Sequence, residues 1–327
     1  MPEVLDGFMR QQLLDRRHRL ENAVIESDHA VRLHSLLEEV DTALARMEDG
    51  SYGICEYCHE PVEADRLVAN PLVRFCLDHL NKEQKDALER DLELAAKVQR
   101  GLLPPRDLLC CGWQICYHYE PVGIVSGDYC DVVEAGDTAF YFMVGDVSGK
   151  GVAASMIMAH LHAMFRTLIS VGLPLQQMLG HATRVLCDST LPAQYATVIC
   201  GRAESNGRVE ICNAGHPPPL LVRDNTVTPL ESSGLPVGMF CSDDFPVHEL
   251  WLEAGQSLVM YSDGVSEATD FSGTEYGAER LCKLIGDKRL ANPSEIVAAC
   301  RDDFTAFCRG AQRADDVTLL VLARAAA

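Results

Sequence analysis

Between residues 126 and 318, four short segments each carry an aspartate suited to holding a metal. They are Ser126-Gly127-Asp128, Gly145-Asp146-Val147-Ser148-Gly149-Lys150-Gly151, Tyr261-Ser262-Asp263-Gly264 and Ala314-Asp315-Asp316-Val317-Thr318. Each aspartate stands at the edge of an apolar run, where a strand would end. Hard divalent cations prefer oxygen ligands, and a pair of them activates water and clamps phosphate oxygens. Carboxylates converging from strand ends therefore point to phosphate-ester hydrolysis.

A second group has softer chemistry. Cys55-x2-Cys58 is followed, after 17 residues, by Cys76-x2-His79. Paired soft ligands two apart, occurring twice, match tetrahedral zinc. Four protein ligands leave no open position, so this zinc is expected to be structural. His59, adjacent to Cys58, is expected to be exposed.

These residues need elements to position them. Apolar runs at 139–145, 195–201, 208–212, 219–222, 257–261 and 317–322 read as strands. Helical spacing marks residues 152–170, 176–187, 278–286 and 294–308. The strands cluster in the middle with helices around them, which favours packed antiparallel sheets over a doubly wound parallel sheet. Ahead of them, residues 30–47 place Leu33, Leu37, Val40, Leu44 and Met47 on one stripe, and residues 5–25 are also helical in pattern. With a break near Glu26-Ser27-Asp28, this predicts a short helical hairpin. A further helix over 82–103 carries Leu88, Leu92, Ala95 and Leu102 on one face, interrupted by Gln99, and stops before Pro104-Pro105. Its stripe suits a signal-passing linker or a dimer seam. The expected organisation is a hairpin and zinc region at 1–81, a linker helix at 82–104 and a catalytic domain at 105–327.

The chain of 327 residues is 47% hydrophobic and carries a net charge of −20. That acidity argues against a nucleic-acid surface. The N-terminus lacks the apolar core of a secretory leader, and no apolar run approaches membrane-spanning length. Of the 14 cysteines, Cys110, Cys111, Cys130, Cys187, Cys200, Cys212 and Cys300 lie in mostly apolar contexts and read as reduced core residues of a cytoplasmic protein with no membrane or nucleic-acid partner.

The four aspartate motifs, with Asn213-Ala214-Gly215-His216-Pro217-Pro218-Pro219 between the second and third, occur in the order seen in a known family. Over about residues 93–323 the chain resembles the PPM family of metal-dependent serine/threonine phosphatases, in its bacterial SpoIIE/RsbU-type branch. The resemblance implies an α+β fold: a PPM-type α/β sandwich of two antiparallel sheets flanked by helices, here preceded by a small helical zinc-finger domain and a linker helix. It implies two Mn2+ or Mg2+ ions, with Asp146 and the Val147 carbonyl, Asp128, Asp263 and Asp315 as catalytic metal ligands. Asp316 is the alternative to Asp315, and Lys150 is a candidate for phosphate binding. Asp131 is open between a supporting and a surface role, and His216, flanked by prolines, is expected to be structural. The first motif departs from the usual Gly-Gly-Asp-Tyr-Tyr-Asp, with Ser126 and Cys130 in place of Gly and Tyr.

Residues 30–81 resemble the DksA/TraR zinc finger, carried by Gly50-Ser51-Tyr52-Gly53-Ile54-Cys55-Glu56-Tyr57-Cys58, Arg66-Leu67-Val68-Ala69-Asn70-Pro71 and Cys76-Leu77-Asp78-His79. His79 takes the place of a usual fourth cysteine. The two resemblances together imply a protein phosphatase acting on a phosphoserine or phosphothreonine protein, such as a STAS-domain anti-anti-sigma factor, with a regulatory zinc region and a plausible homodimer. The competing expectation is a non-enzymatic transcription regulator that binds RNA polymerase through the zinc hairpin, with Glu26 and Asp28 at its tip.

Overall fold

The computed structural model describes residues 3–26, 30–79, 82–189, 194–224, 226–231, 234–241, 244–288, 292–311 and 313–325. Ser27 and Asp28 of the expected hairpin tip lie outside them. The chain divides into two compact units, Met1–Leu92 and Glu93–Ala327.

In the first unit, helices α1 (Glu3–Glu26) and α2 (Ala30–Glu48) are followed by the short α3 (Ala64–Ala69) and a single 3-10 turn at Leu77–His79. Its core joins Met9, Leu13, Val40 and Ala43 of the helices to Tyr52, Val62, Leu67, Cys55 and Cys76 of the finger. Helix α4 (Lys82–Leu102) crosses from the first unit into the second.

The second unit begins with β1 (Asp107–Cys110), β2 (Trp113–Glu120), β3 (Asp128–Glu134) and β4 (Ala139–Val147). Helices α5 (Gly151–Ser170) and α6 (Leu175–Ser189) follow. Then come β5 (Ala196–Glu204), β6 (Arg208–Ala214), β7 (Leu220–Arg223), β8 (Thr226–Pro229), β9 (His248–Trp251) and β10 (Ser257–Tyr261). The chain closes with α7 (Asp263–Ser266), α8 (Ala278–Lys288), α9 (Pro293–Phe307) and β11 (Val317–Arg324).

The strands form two sheets, ordered β1-β2-β11-β10-β7-β8 and β3-β4-β5-β6-β9, and every strand pair in them is antiparallel. Alternation of side chains across each strand explains the layering. Phe140, Phe142 and Val144 of β4 meet Leu258, Met260, Leu320 and Leu322 of the other sheet in a central core. Tyr141 and Met143, on the opposite face of β4, pack under α5 and α6. Likewise Leu319 and Val321 of β11 pack with Ile285, Ile296, Val297 and Phe304 of α8 and α9. The result is a four-layer sandwich, helix–sheet–sheet–helix. Central strands are buried on both faces, which is why they read as unbroken apolar runs.

The six expected strands and the long helices are present, with ends shifted by a few residues. Five strands lie outside the expected set. β2 and β3 mix polar residues into their apolar pattern, and β1, β8 and β9 have four residues each. Two expectations need correction. Among the described residues α5 is long and apolar enough to cross a membrane by length and composition. Its Ala154, Ile157, Met158, Leu161, Phe165 and Ile169 lie in the domain core, which accounts for the apolar sequence. Cys187 is not a free thiol: it forms a disulfide with Cys241, their Cα atoms 6.2 Å apart. The bridge ties α6 to the 234–241 loop, a proximity that nothing local to either cysteine signals. Cys110, Cys130 and Cys200 are buried free thiols, Cys111 is a half-buried free thiol, and Cys212 and Cys300 are buried.

The central core closes tightly at Gly201, where a Cβ would stand 2.1 Å from the Phe142 ring. Gly201→Ala is expected to displace that ring and to cost about 1–3 kcal/mol. Chemical denaturation checks this, and an unchanged midpoint would show that the sandwich accommodates the methyl group.

Candidate metal centres

The two sheets meet at one edge, and the four aspartate motifs meet there with them. Asp128 opens β3 and Asp146 stands directly opposite it near the end of β4. From the other sheet, β10 leads through Ser262 into Asp263, the first residue of α7, and Asp315-Asp316 immediately precede β11. Ser262 and Thr318 lock these last two segments together: Ser262 N donates to the Thr318 carbonyl at 2.9 Å, and Thr318 N donates to Ser262 Oγ at 3.0 Å. Gly264 permits the approach, since a Cβ there would fall 1.9 Å from the Asp316 carbonyl oxygen.

A polar seam then ties the two sheets together. The Thr318 hydroxyl donates to Asp128 Oδ2. Asp316 Oδ2 accepts from Ser126 Oγ at 2.8 Å and Gly127 N at 2.9 Å, while its Oδ1 accepts from Val122 N at 2.7 Å. Both Asp316 oxygens are thus bonded to the 122–127 loop, and Asp315 stays the candidate ligand of the two. Asp315 Oδ1 accepts from Asp316 N at 3.0 Å, and its Oδ2 lies 2.9 Å from the Lys150 ammonium.

The electrostatics are those of crowded like charges. Burial, then the neighbouring charge of Asp146, holds the Asp128 carboxyl well above the usual carboxylate range. Burial, then the charges of Asp263, Asp315 and Asp316, pushes Asp146 up to about 7. Burial and Asp315 also raise Asp263. Oxygen donors that oppose one another in this way fit divalent cations, and Lys150 already stands in as a cation on Asp315. Asp128, Asp146, Asp263, Asp315 and the Val147 carbonyl are the groups that could hold them. The carboxylates do not form a tight single-ion cluster; a two-ion centre, with ions about 3.5–4 Å apart, needs a wider shell.

Asp131 is not a surface residue. It is fully buried in β3 and receives a bidentate pair from Arg166 of α5, both bonds at 2.8 Å. His216 is buried too. Its Nδ1 lies 2.8 Å from Thr197 Oγ1 and its backbone N donates to Asn213 Oδ1 at 2.8 Å, while burial brings its pKa down to about 3.

Sequence reasoning assigned no role to Gln99. It is buried, and it clamps the backbone of Ser126: Nε2 donates to the Ser126 carbonyl at 2.7 Å, and Oε1 accepts from Ser126 N at 3.0 Å. The available signal was an amide interrupting the apolar face of α4 shortly ahead of the first aspartate motif.

In the first unit, Cys55, Cys58, Cys76 and His79 place one ligand atom each within 4.8 Å of all the others. Cys58 Sγ and Cys76 Sγ are 3.7 Å apart, and His79 Nδ1 lies 3.0 Å from Cys76 Sγ and 3.9 Å from Cys55 Sγ. Zinc–sulfur bonds of ~2.3 Å in a tetrahedron set sulfurs about 3.8 Å apart, so the donors fit a zinc ion. Burial raises the Cys55 thiol, but the backbone N–H groups of Cys58, Cys76 and Tyr57 outweigh it and bring it down to about 6. His59 is exposed.

The family profile described as stage II sporulation protein E (SpoIIE) matches residues 136–325. The chain belongs to the SpoIIE family. This SpoIIE-family chain also matches, over residues 50–78, the profile of the prokaryotic dksA/traR C4-type zinc finger, with histidine as its fourth candidate ligand. Phosphoserine phosphatase RsbU of Bacillus subtilis is 28% identical over 244 residues, 72% of this chain and 71% of RsbU. Protein IcfG of Synechocystis is 27% identical over 274 residues, 74% of this chain, and the chain spans only 43% of IcfG. The solved RsbU and RsbW domains of a Mycobacterium tuberculosis protein are 28% identical with a TM-score of 0.57, covering 68% of this chain and 62% of that one. The SiaA-PP2C domain of Pseudomonas aeruginosa shares the fold, with a TM-score of 0.64 at 19% identity, covering 73% and 98%.

Two measurements bear on these centres. An aspartate raised in the folded state binds a proton that the unfolded chain has released. Its charge therefore opposes folding as pH rises from about 4, the unfolded value, to about 7. In magnesium- and manganese-free buffer the melting temperature should fall across that interval, and Asp146→Asn should flatten the slope; an unaltered slope would remove Asp146 as its source. For the finger, Cys55→Ser or His79→Ala is expected to lose about one zinc per chain and to lower the stability of the first unit, whereas His79→Cys keeps the metal. Elemental analysis after dialysis decides this.

Proposed function

We propose that residues 105–327 form a divalent-metal-dependent protein phosphatase that hydrolyses phosphoserine or phosphothreonine on a regulatory phosphoprotein in bacterial signalling. The observation that carries this reading is the convergence of Asp128, Asp146, Asp263 and Asp315 at a partly desolvated sheet edge, with Asp146 held at about 7. Repelling carboxylates in such a place are stabilised by divalent ions, and a hydrolytic centre needs them there. Membership of the SpoIIE family and the likeness to RsbU, named a phosphoserine phosphatase, support the same reading.

When bound, a pair of manganese or magnesium ions supplies an activated water and neutralises the phosphate oxygens. The protein's own part is positioning. Asp146 and the Val147 carbonyl, at the end of β4, and Asp263 and Asp315, beside β10 and β11, would hold the ions. Asp128, buried and bonded to Thr318, supports Asp146 from the adjacent strand. Lys150, the N-cap residue of α5, lies beside Asp315 and is the candidate cation for a phosphate oxygen. Hydrolysis through water requires no phosphorylated protein side chain.

The substrate class we favour is a phosphorylated STAS-type anti-anti-sigma factor. In this reading residues 1–81, stabilised by zinc, regulate the phosphatase, and residues 82–104 join the two in the chain.

With added manganese the wild type is expected to hydrolyse para-nitrophenyl phosphate and phosphoserine proteins. Asp146→Ala and Asp263→Asn should each lower the rate at least ~100-fold while preserving the circular dichroism spectrum. Variants as active as the wild type would remove these two aspartates from the centre, and a wild type inactive with every metal and phosphoprotein tried would leave the domain as a scaffold.

A further inference from the structure

Lys150 is already spoken for. Its ammonium lies 2.9 Å from Asp315 Oδ2 and donates to the Ala314 carbonyl, so it binds the backbone and the carboxylate of the same segment. Helix capping does not account for this. Lys150 is the N-cap residue of α5 and makes no side-chain cap bond, and a cation at a helix N-terminus is disfavoured by the helix dipole. The other Asp315 oxygen accepts from Asp316 N at 3.0 Å, so Lys150 is the one cation bonded to this carboxylate among the described residues. The same ammonium also favours the charge on Asp263. Its side chain remains about half exposed, at 54%, which leaves it an open path away from the site.

We infer that Lys150 is the internal counter-ion of the catalytic centre: it neutralises Asp315 while no divalent ion is bound, and the incoming ion displaces it. The inference rests on the two-ion reading above and deepens it. Metal loading is then an exchange of cations rather than a simple capture. The carboxylates keep their arrangement before loading because a tethered charge holds one of them. The cost is affinity, since every ion must compete with an ammonium of high local concentration. Displacement also resolves an apparent conflict in the site, because a lysine bonded to Asp315 cannot meet a phosphate until it is released.

The test measures metal, not turnover. The zinc-loaded 327-residue chain is titrated with Mn2+ by calorimetry in magnesium-free buffer, as wild type, Lys150→Met and Lys150→Arg. K150M is expected to bind Mn2+ about tenfold tighter, because a like charge beside the ion is gone; K150R, which keeps the charge, should stay at or below wild-type affinity. Independently, acylation of Lys150 in the wild type, followed by peptide mass spectrometry, should accelerate several-fold when Mn2+ is added. Equal or weaker Mn2+ binding by K150M, or acylation that Mn2+ does not change, overturns the counter-ion role while leaving the two-ion reading in place. Failure of every variant, wild type included, to bind Mn2+ overturns both.

Discussion

Like charges brought together out of water are the constraint around which the catalytic unit is organised. Four aspartates reach one sheet edge, and their burial makes ionisation expensive enough to push Asp146 up to about 7. An isolated buried carboxylate would neutralise itself by taking a proton. This edge also surrounds the carboxylates with donors. Thr318 serves Asp128, backbone N–H groups and Ser126 serve Asp316, and Lys150 serves Asp315. The compensation is partial, which leaves the edge receptive to ions.

Partial compensation works only on a rigid frame. The strands carrying Asp128, Asp146 and the residues around Thr318 are buried on both faces, between a central core and an outer helical layer. Close packing on both sides prevents the strand ends from spreading to relieve repulsion. The seam of Ser126, Asp316, Ser262 and Thr318 completes the frame by hydrogen bonds between the sheets. Asp316 is the clearest case: an aspartate inside the metal motif that spends both oxygens on holding a loop. Gln99 extends the seam to α4, so a change in that helix bears directly on the backbone one residue from Gly127 and two from Asp128.

The first unit meets the opposite problem. Its core is small, a few helical side chains against a short finger, and a segment as short as the finger often needs a metal or a disulfide for stability. Three thiols and an imidazole at tetrahedral spacing supply a site for one. An ion held there would be a fastener with no open position, whereas the acidic edge of the second unit is partly exposed.

Much of the candidate site was legible from residue types and spacing alone. The paired soft ligands mark a zinc site because two ligands on a tight turn have few other uses. The aspartates at the ends of apolar runs mark a cation site because strand ends are where a sandwich exposes backbone and carboxylates together. The sandwich class follows from strands flanked by helices. What the chain could not reveal locally was set by long-range contact. Asp315 and Asp316 are neighbours of the same type, and only contact with the 122–127 loop, nearly two hundred residues away in sequence, marks Asp316 as the brace. Asp131 became half of a buried pair because α5 delivers Arg166 to it. Cys187 found Cys241 across 54 residues. Residue chemistry thus determined what kinds of ions this protein can hold, while tertiary packing decided which of several identical side chains face them, because a side chain's role depends on the partners that folding brings within hydrogen-bond reach.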